Sequence, residues 1–205
     1  MEEDRQLVER LNKGIVETRR SLYGGLIPIL PSEASLVGLE ETVDNLEKIV
    51  EIRVFEQTNL KKFLVGKPPK GLILYGPSGT GKTESIAVVI NRLRRSGRDI
   101  DGYIVPTSSF LSSGLGESDK NIDAVFNIRL PEMLKKKNKG IILLFDELDG
   151  IARQRTLGSD PLDRVLNLLF ILIDRLESRD RVLLIGTTNR YDLLDEAMKR
   201  RLGLA

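Results

Sequence analysis

Cysteine and histidine are both absent from this 205-residue chain. The first absence excludes disulfides, thiolate nucleophiles and cysteine metal sites, and the second removes the usual zinc ligand and the usual general base. A dominant charge sign is missing too. Lys and Arg number 32 against 30 Asp and Glu, a formal net charge of +2, so no whole-molecule field draws the protein to nucleic acid or an acidic membrane. Aromatic residues make up 5%, which leaves few platforms for base stacking. No apolar run reaches the ~18 residues of a membrane span, and the acidic start Met1-Glu2-Glu3-Asp4 is wrong for a signal peptide. We expect a cytoplasmic protein with no integral membrane segment. What remains is chemistry on carboxylates, hydroxyls, Lys, Arg and a hard cation, in a chain whose 40% hydrophobic content suffices for one core.

Residues 3 to 22 place Leu7, Leu11, Ile15 and Leu22 at helical spacing among charges, an amphipathic helix in need of a partner surface. "GGLIPILP" at 24 to 31 breaks it with two Gly and two Pro and reads as a linker. A second helical pattern runs from Leu39 to about Leu64, with Leu46, Val50, Val54 and Phe55 on one face, until "GKPPKG" ends it. Short apolar runs then alternate with helical stretches: "GLILY" (71 to 75), a helix over 81 to 95, "GYIVP" (102 to 106), a helix over 117 to 129, "IILLF" (141 to 145), a helix over 161 to 176, and "VLLIGTTN" (182 to 189). Runs that are apolar throughout belong to strands covered on both faces, and helices between them make the sheet mostly parallel. The fold class is α/β, in three layers. Residues 1-31 are expected to form an N-terminal helix and linker, and 32-205 an α/β domain.

"YGPSGTGKT" at 75 to 83 matches GxxxxGK[ST], directly after an expected strand and at the opening of an expected helix. Backbone N–H groups around Gly79, Thr80 and Gly81 can converge on phosphate oxygens, because glycine permits the dihedrals and a helix N-terminus favours an anion. In such a loop Lys82 reaches the β- and γ-phosphates and the Thr83 hydroxyl ligates magnesium. "IILLFDELDG" at 141 to 150 sets three carboxylates at the end of a greasy strand, where burial costs several kcal/mol without a compensating partner. A magnesium ion with a triphosphate at the carboxyl ends of parallel strands is that partner. Asp146 is the expected metal-side carboxylate and Glu147, with no histidine available, the expected base for an attacking water. Asp149 could equally cap or pair locally. Asn189 in "GTTNR" carries both a donor and an acceptor, as a water-positioning residue needs.

These three clusters, in this order and spacing, resemble the ATPase core of the AAA clade within the AAA+ superfamily of P-loop NTPases. The likeness covers roughly residues 35 to 202 and extends to "LVGLEETVDNL", "DELDGIARQR" and "IGTTNRYDLLDEAMKRRL". It implies ATP or ADP with Mg2+ as the ligands, held by Pro77, Ser78, Gly79, Thr80, Gly81, Lys82, Thr83 and Glu84. The backbone from Leu36 through Val37 and Gly38 would face adenine. It implies that Asn189 is a sensor residue and that Arg200 and Arg201 match paired arginine fingers acting on a neighbouring subunit's nucleotide. The implied assembly is a homo- or hetero-hexameric ring that remodels a protein substrate, directly or through an adaptor. Two departures stand out. Gly114 in "SSGLGES" (112 to 118) occupies the position of the family's pore-loop aromatic, leaving Leu115 beside it. The sequence stops soon after the arginines, so we expect the small helical lid to be absent and the sheet to hold four strands with the first at an edge. Residues 1-31 could serve as a contact for other proteins, a linker, or a brace over that edge.

Two other functional classes are open on sequence. A nucleic-acid motor or loader would use the basic clusters "RLRRSGR" (92 to 98) and "KKKNK" (135 to 139), which lack interleaved aromatics. A nucleotide-dependent scaffold would bind ATP with little turnover.

Overall fold

A computed structural model of the chain describes residues 26–56, 69–105, 120, 123–136, 138–151, 161–177 and 180–202. The amphipathic pattern over 3 to 22 and the "SSGLGES" stretch with Gly114 and Leu115 lie outside the described residues.

The chain builds β1 (Ile27–Ile29), α1 (Glu40–Val54), β2 (Gly71–Tyr75), α2 (Lys82–Arg95) and β3 (Ile100–Val105). A wide helical turn over Val125–Arg129 leads into the short α3 (Leu130–Met133), followed by β4 (Gly140–Phe145), α4 (Pro161–Arg175), β5 (Val182–Thr188) and α5 (Glu196–Leu202). The sheet order is β1-β3-β4-β5-β2. The three pairings among β3, β4, β5 and β2 run parallel, as buried apolar strands joined by helices require, and β1 alone pairs antiparallel, on β3.

Alternation along each strand divides two cores. Ile142, Leu144, Leu183 and Ile185 face α1 and α2, where Leu46, Val50, Val54, Ile86 and Ile90 pack on them. Ile141, Leu143, Phe145 and Leu184 face α4 and α5, represented by Leu169, Ile173, Met198 and Leu202. Helices, sheet and helices therefore form the three layers expected. Where α1 ends, the buried Arg53 threads to the sheet's lower margin. Its Nε donates to the Val182 carbonyl at 3.0 Å and its Nη2 to the Glu177 carbonyl at 2.9 Å. Burial pushes this guanidinium below its ordinary pKa, opposed by the charges of Asp180 and Glu56.

Three expectations need correction. The sheet has five strands instead of four, because Ile27–Ile29, read as part of a linker, adds to β3 with Ile27 beside Ile104 and Ile29 beside Gly102. An edge strand has one ladder of hydrogen bonds, so Pro28 can lack an N–H there without loss. The second helix ends at Val54 and Glu56 has φ 53°, so it does not run unbroken toward Leu64; residues 57 to 64 lie outside the described residues. The helix leading to α3 extends past residue 129, to Met133. The expectation that the first of the central strands lies at an edge holds: β2 pairs with β5 and ends the sheet order.

Candidate functional site

The ends of three strands, β2, β4 and β5, and the start of α2 meet on one side of the sheet. β2 runs into residues 76 to 81, which turn with positive φ at Gly76 (150°), Gly79 (76°) and Gly81 (86°). The left-handed conformation of Gly79 and Gly81 is open to glycine at no steric cost and brings successive N–H groups round to the start of α2. Gly81 caps α2, its carbonyl accepting from the Ser85 N–H at 2.8 Å and the Ser85 hydroxyl at 2.9 Å. Behind it, Leu36 and Leu39 lie so close that a Cβ on Gly81 would come within 3.1 Å of Leu39 Cδ1.

The cleft in front of this turn has a volume of about 390 Å³. Its walls are Ser78 to Glu84 on one side and Asp146, Glu147, Thr187, Thr188 and Asn189 on the other. Lys82 spans the two. Its ammonium donates to the Gly76 carbonyl at 2.7 Å, to the Pro77 carbonyl at 2.8 Å and to Asn189 Oδ1 at 2.9 Å, using all three donors. An ammonium at the first turn of a helix opposes the macrodipole, so a cation here is tolerated for its contacts and not for helix stability.

Asp146 stands at the end of β4, where the parallel register with β5 places it beside Thr187, one step beyond the Phe145–Gly186 pair. The Thr187 hydroxyl donates to Asp146 Oδ1 and accepts from the Glu147 N–H at 3.3 Å. Thr188 donates to Asp149 Oδ1 at 2.6 Å, so Asp149 pairs locally. Glu147 is exposed, with φ 53° and ψ 50°, an uncommon conformation for a residue with a side chain. Such outliers collect at functional sites, where the surroundings over-determine them.

The sequence-selected residues Ser78, Gly79, Thr80, Gly81, Lys82, Thr83, Glu84, Asp146, Glu147 and Asn189 thus share one cleft. Pro77 contributes its carbonyl to Lys82 and to the Thr80 hydroxyl, the latter at 2.9 Å. Glu84 accepts a hydrogen bond from the Ser32 hydroxyl. Val37, 89% exposed, and Gly38 sit on a turn outside the cleft's lining. Nearby, a recess of about 210 Å³ runs along Leu39, Thr42, Ile73, Leu74, Tyr75 and Ser85 and shares Thr80 and Lys82 with the cleft. Sequence reasoning passed over Thr187 and Thr188. Both are β-branched and read as ordinary strand residues, and only the adjacency of β4 and β5 reveals their hydroxyls as partners of carboxylates.

The family model of the "ATPase family associated with various cellular activities (AAA)" matches residues 72–204. The chain belongs to the AAA family. Among AAA relatives, the "AAA ATPase forming ring-shaped complexes" of Corynebacterium diphtheriae is 35% identical over 172 residues, 82% of this chain and 33% of that protein. "Tat-binding homolog 7" of Caenorhabditis elegans is 32% identical over 164 residues, 80% of this chain and 12% of that protein. A chain in the "Structure of E. coli MS115-1 HORMA:CdnC:Trip13 complex" superposes with a TM-score of 0.69 at 26% identity, over 82% of this chain and 62% of that one. This AAA chain therefore spans a minor part of the length of these two curated relatives.

Its two adjacent arginines differ. The Arg201 guanidinium is bound by its own chain, with Nη2 donating to Asp174 Oδ2 at 2.9 Å and the plane 4.4 Å from the centre of the Phe170 ring. Arg200 is exposed, its Nε donating to the Glu196 carbonyl at 3.3 Å. Neither lines the cleft of its own AAA domain.

Proposed function

We propose that this chain is the ATP-hydrolysing core of a ring-forming AAA protein, working in the cytoplasm, whose turnover drives remodelling or disassembly of a protein or complex. The observation that carries the reading is the convergence of Lys82, Thr83, Asp146, Glu147 and Asn189 on one cleft of about 390 Å³. The triphosphate would lie along the 79 to 83 backbone N–H groups with Lys82 on the β- and γ-phosphates. The apolar recess beside Leu39 and Tyr75 suits the purine, on the side of the Leu36–Gly38 turn.

The Thr83 hydroxyl and Asp146 carboxylate would hold magnesium. Among the described residues no three His, Cys, Asp or Glu gather into a metal site of their own. One carboxylate and one hydroxyl nevertheless fit a hard cation that takes most of its shell from water and phosphate oxygens. When bound, magnesium supplies charge neutralisation at the phosphoryl oxygens. Glu147 orients the attacking water and accepts its proton, and Asn189 holds that water against the γ-phosphate. Lys82 donates to Asn189 Oδ1, and a triphosphate bound along the loop would compete for the same ammonium.

Ring assembly is supported by the likeness to the Corynebacterium diphtheriae "AAA ATPase forming ring-shaped complexes". In a homo- or hetero-hexamer, the exposed Arg200 is the side chain ready to reach a neighbour's nucleotide, whereas Arg201 would first have to leave Asp174. A nucleic-acid motor has less support. Arg92, Arg94, Arg95 and Arg98 are paired with Asp44, Asp101, Glu33 and Glu51 respectively, so this basic cluster is largely neutralised in place.

The test is Glu147→Gln, which keeps shape and removes the proton acceptor. ATP should remain bound by titration calorimetry while phosphate release stops; undiminished release would remove Glu147 from the role.

A further inference from the structure

Thr187 is 1% exposed, so its hydroxyl must find partners within the protein. It has two, and their directions are forced: a carboxylate can only accept and an amide N–H can only donate. The single proton goes to Asp146 Oδ1 and a lone pair receives the Glu147 N–H. One buried hydroxyl thus ties together the side chain assigned to the metal and the main chain of the residue assigned to the water. We infer that Thr187 is a positioning residue that orients the Asp146 carboxylate against the Glu147 main chain, a role that rests on the nucleotide reading above.

The local geometry explains why such a tie is needed. Glu147 has φ 53° and ψ 50°, so its backbone would relax elsewhere unless restrained. Leu148, fully buried, anchors the following residue over Gly186, where an added Cβ would meet Leu148 Cδ2 at 2.6 Å. The Gly150 N–H returns to the Glu147 carbonyl at 2.8 Å. Those two restraints hold the turn itself, and the Thr187 hydroxyl joins the turn to the Asp146 carboxylate. The adjacent hydroxyl cannot substitute, because Thr188 is engaged with Asp149 and with the Arg190 N–H at 2.9 Å.

The experiment compares the whole wild-type chain with Thr187→Val, which keeps the shape and loses the hydroxyl, and Thr187→Ser, which keeps the hydroxyl. Each is melted, titrated with ATP in the presence and absence of magnesium, and assayed for phosphate release over a range of magnesium concentrations. For Thr187→Val we expect metal-free ATP affinity and KM within about threefold of wild type, but kcat and the magnesium-dependent tightening each reduced about 10- to 100-fold. Thr187→Ser should restore both. A purely structural hydroxyl would lower the melting temperature without separating kcat from KM or touching the magnesium linkage, and that pattern would overturn the inference. A Ser variant as impaired as the Val variant would do the same. If Thr187→Val fails to fold, Thr187→Ala against Thr187→Ser carries the same comparison. Wild-type turnover with an indifferent Thr187→Val defeats the positioning role alone; a wild-type chain that neither binds nor hydrolyses ATP defeats the nucleotide reading and this inference with it.

Discussion

Glu147 sits in the left-handed region at φ 53° and ψ 50°, where a Cβ costs about 1–2 kcal/mol and glycine has no such penalty. Replacing Glu147 by Gly relieves that strain but frees the unfolded chain, which takes back about 0.5–1 kcal/mol. Replacing it by Ala removes the same exposed carboxylate while keeping the strain. The two variants therefore differ in backbone alone, and Gly should be the more stable by about 0.5–1 kcal/mol, or roughly 1–4 °C in melting temperature for a chain of this size. Both should lose ATP turnover, since neither side chain can accept a proton. Paired thermal melts at one pH and salt concentration, with phosphate release measured alongside, make the comparison. A Gly variant melting at or below the Ala variant would refute the claim that strain is stored at this residue.

Lys82→Ala should weaken ATP binding by about tenfold or more through lost charge-assisted contacts, measurable by calorimetry. It also removes the tie between the phosphate loop and Asn189. Arg53→Leu keeps bulk but leaves the Val182 and Glu177 carbonyls without this donor. It should cost about 1–3 kcal/mol in denaturant unfolding, the cost of leaving the buried Val182 carbonyl unsatisfied, since Glu177 is exposed and its carbonyl can turn to water. Burial pushes the Asp101 carboxyl up, but Lys139, Arg94 and Tyr103 carry it below its ordinary value. A carboxyl lowered in the folded state stabilises above its unfolded pKa and loses that contribution as pH falls through the folded value. Melting temperature should therefore fall on acidification below about pH 4, and Asp101→Asn should flatten that part of the profile while lowering stability at neutral pH.

The parts of the fold visible in the sequence are those where one physical demand dominates. Ile141 to Phe145 are each at most 1% exposed, and continuous burial leaves a continuous apolar run. The phosphate loop is legible because its glycines, Lys82 and Thr83 answer to a single geometry at fixed spacing. β1 was hidden because its three residues include Pro28 and follow two glycines, and it was the sheet margin that made a proline harmless there. The overlong second helix has the opposite cause: helical spacing continued past Val54, while the chain turned at Glu56. At the site, Lys82, Asp146, Glu147 and Asn189 could be chosen by residue type and position after a strand. Thr187 could not, since its importance lies in being next to Asp146 across a parallel ladder whose strands are 41 residues apart in sequence at that contact. Nor does a pair of neighbouring arginines announce that one will stack on Phe170 and the other stay exposed.

On the proposed reading, ATP with magnesium occupies the cleft between Lys82 and Asp146. A crystal structure of Glu147→Gln protein grown with ATP and magnesium tests it most directly. The expected result is a triphosphate within hydrogen-bond reach of the Lys82 ammonium and the Gly79–Gly81 N–H groups, with the cation between Thr83 and Asp146. Nucleotide bound elsewhere on the chain, with Lys82 still on Asn189 and the cleft holding only solvent, would contradict it.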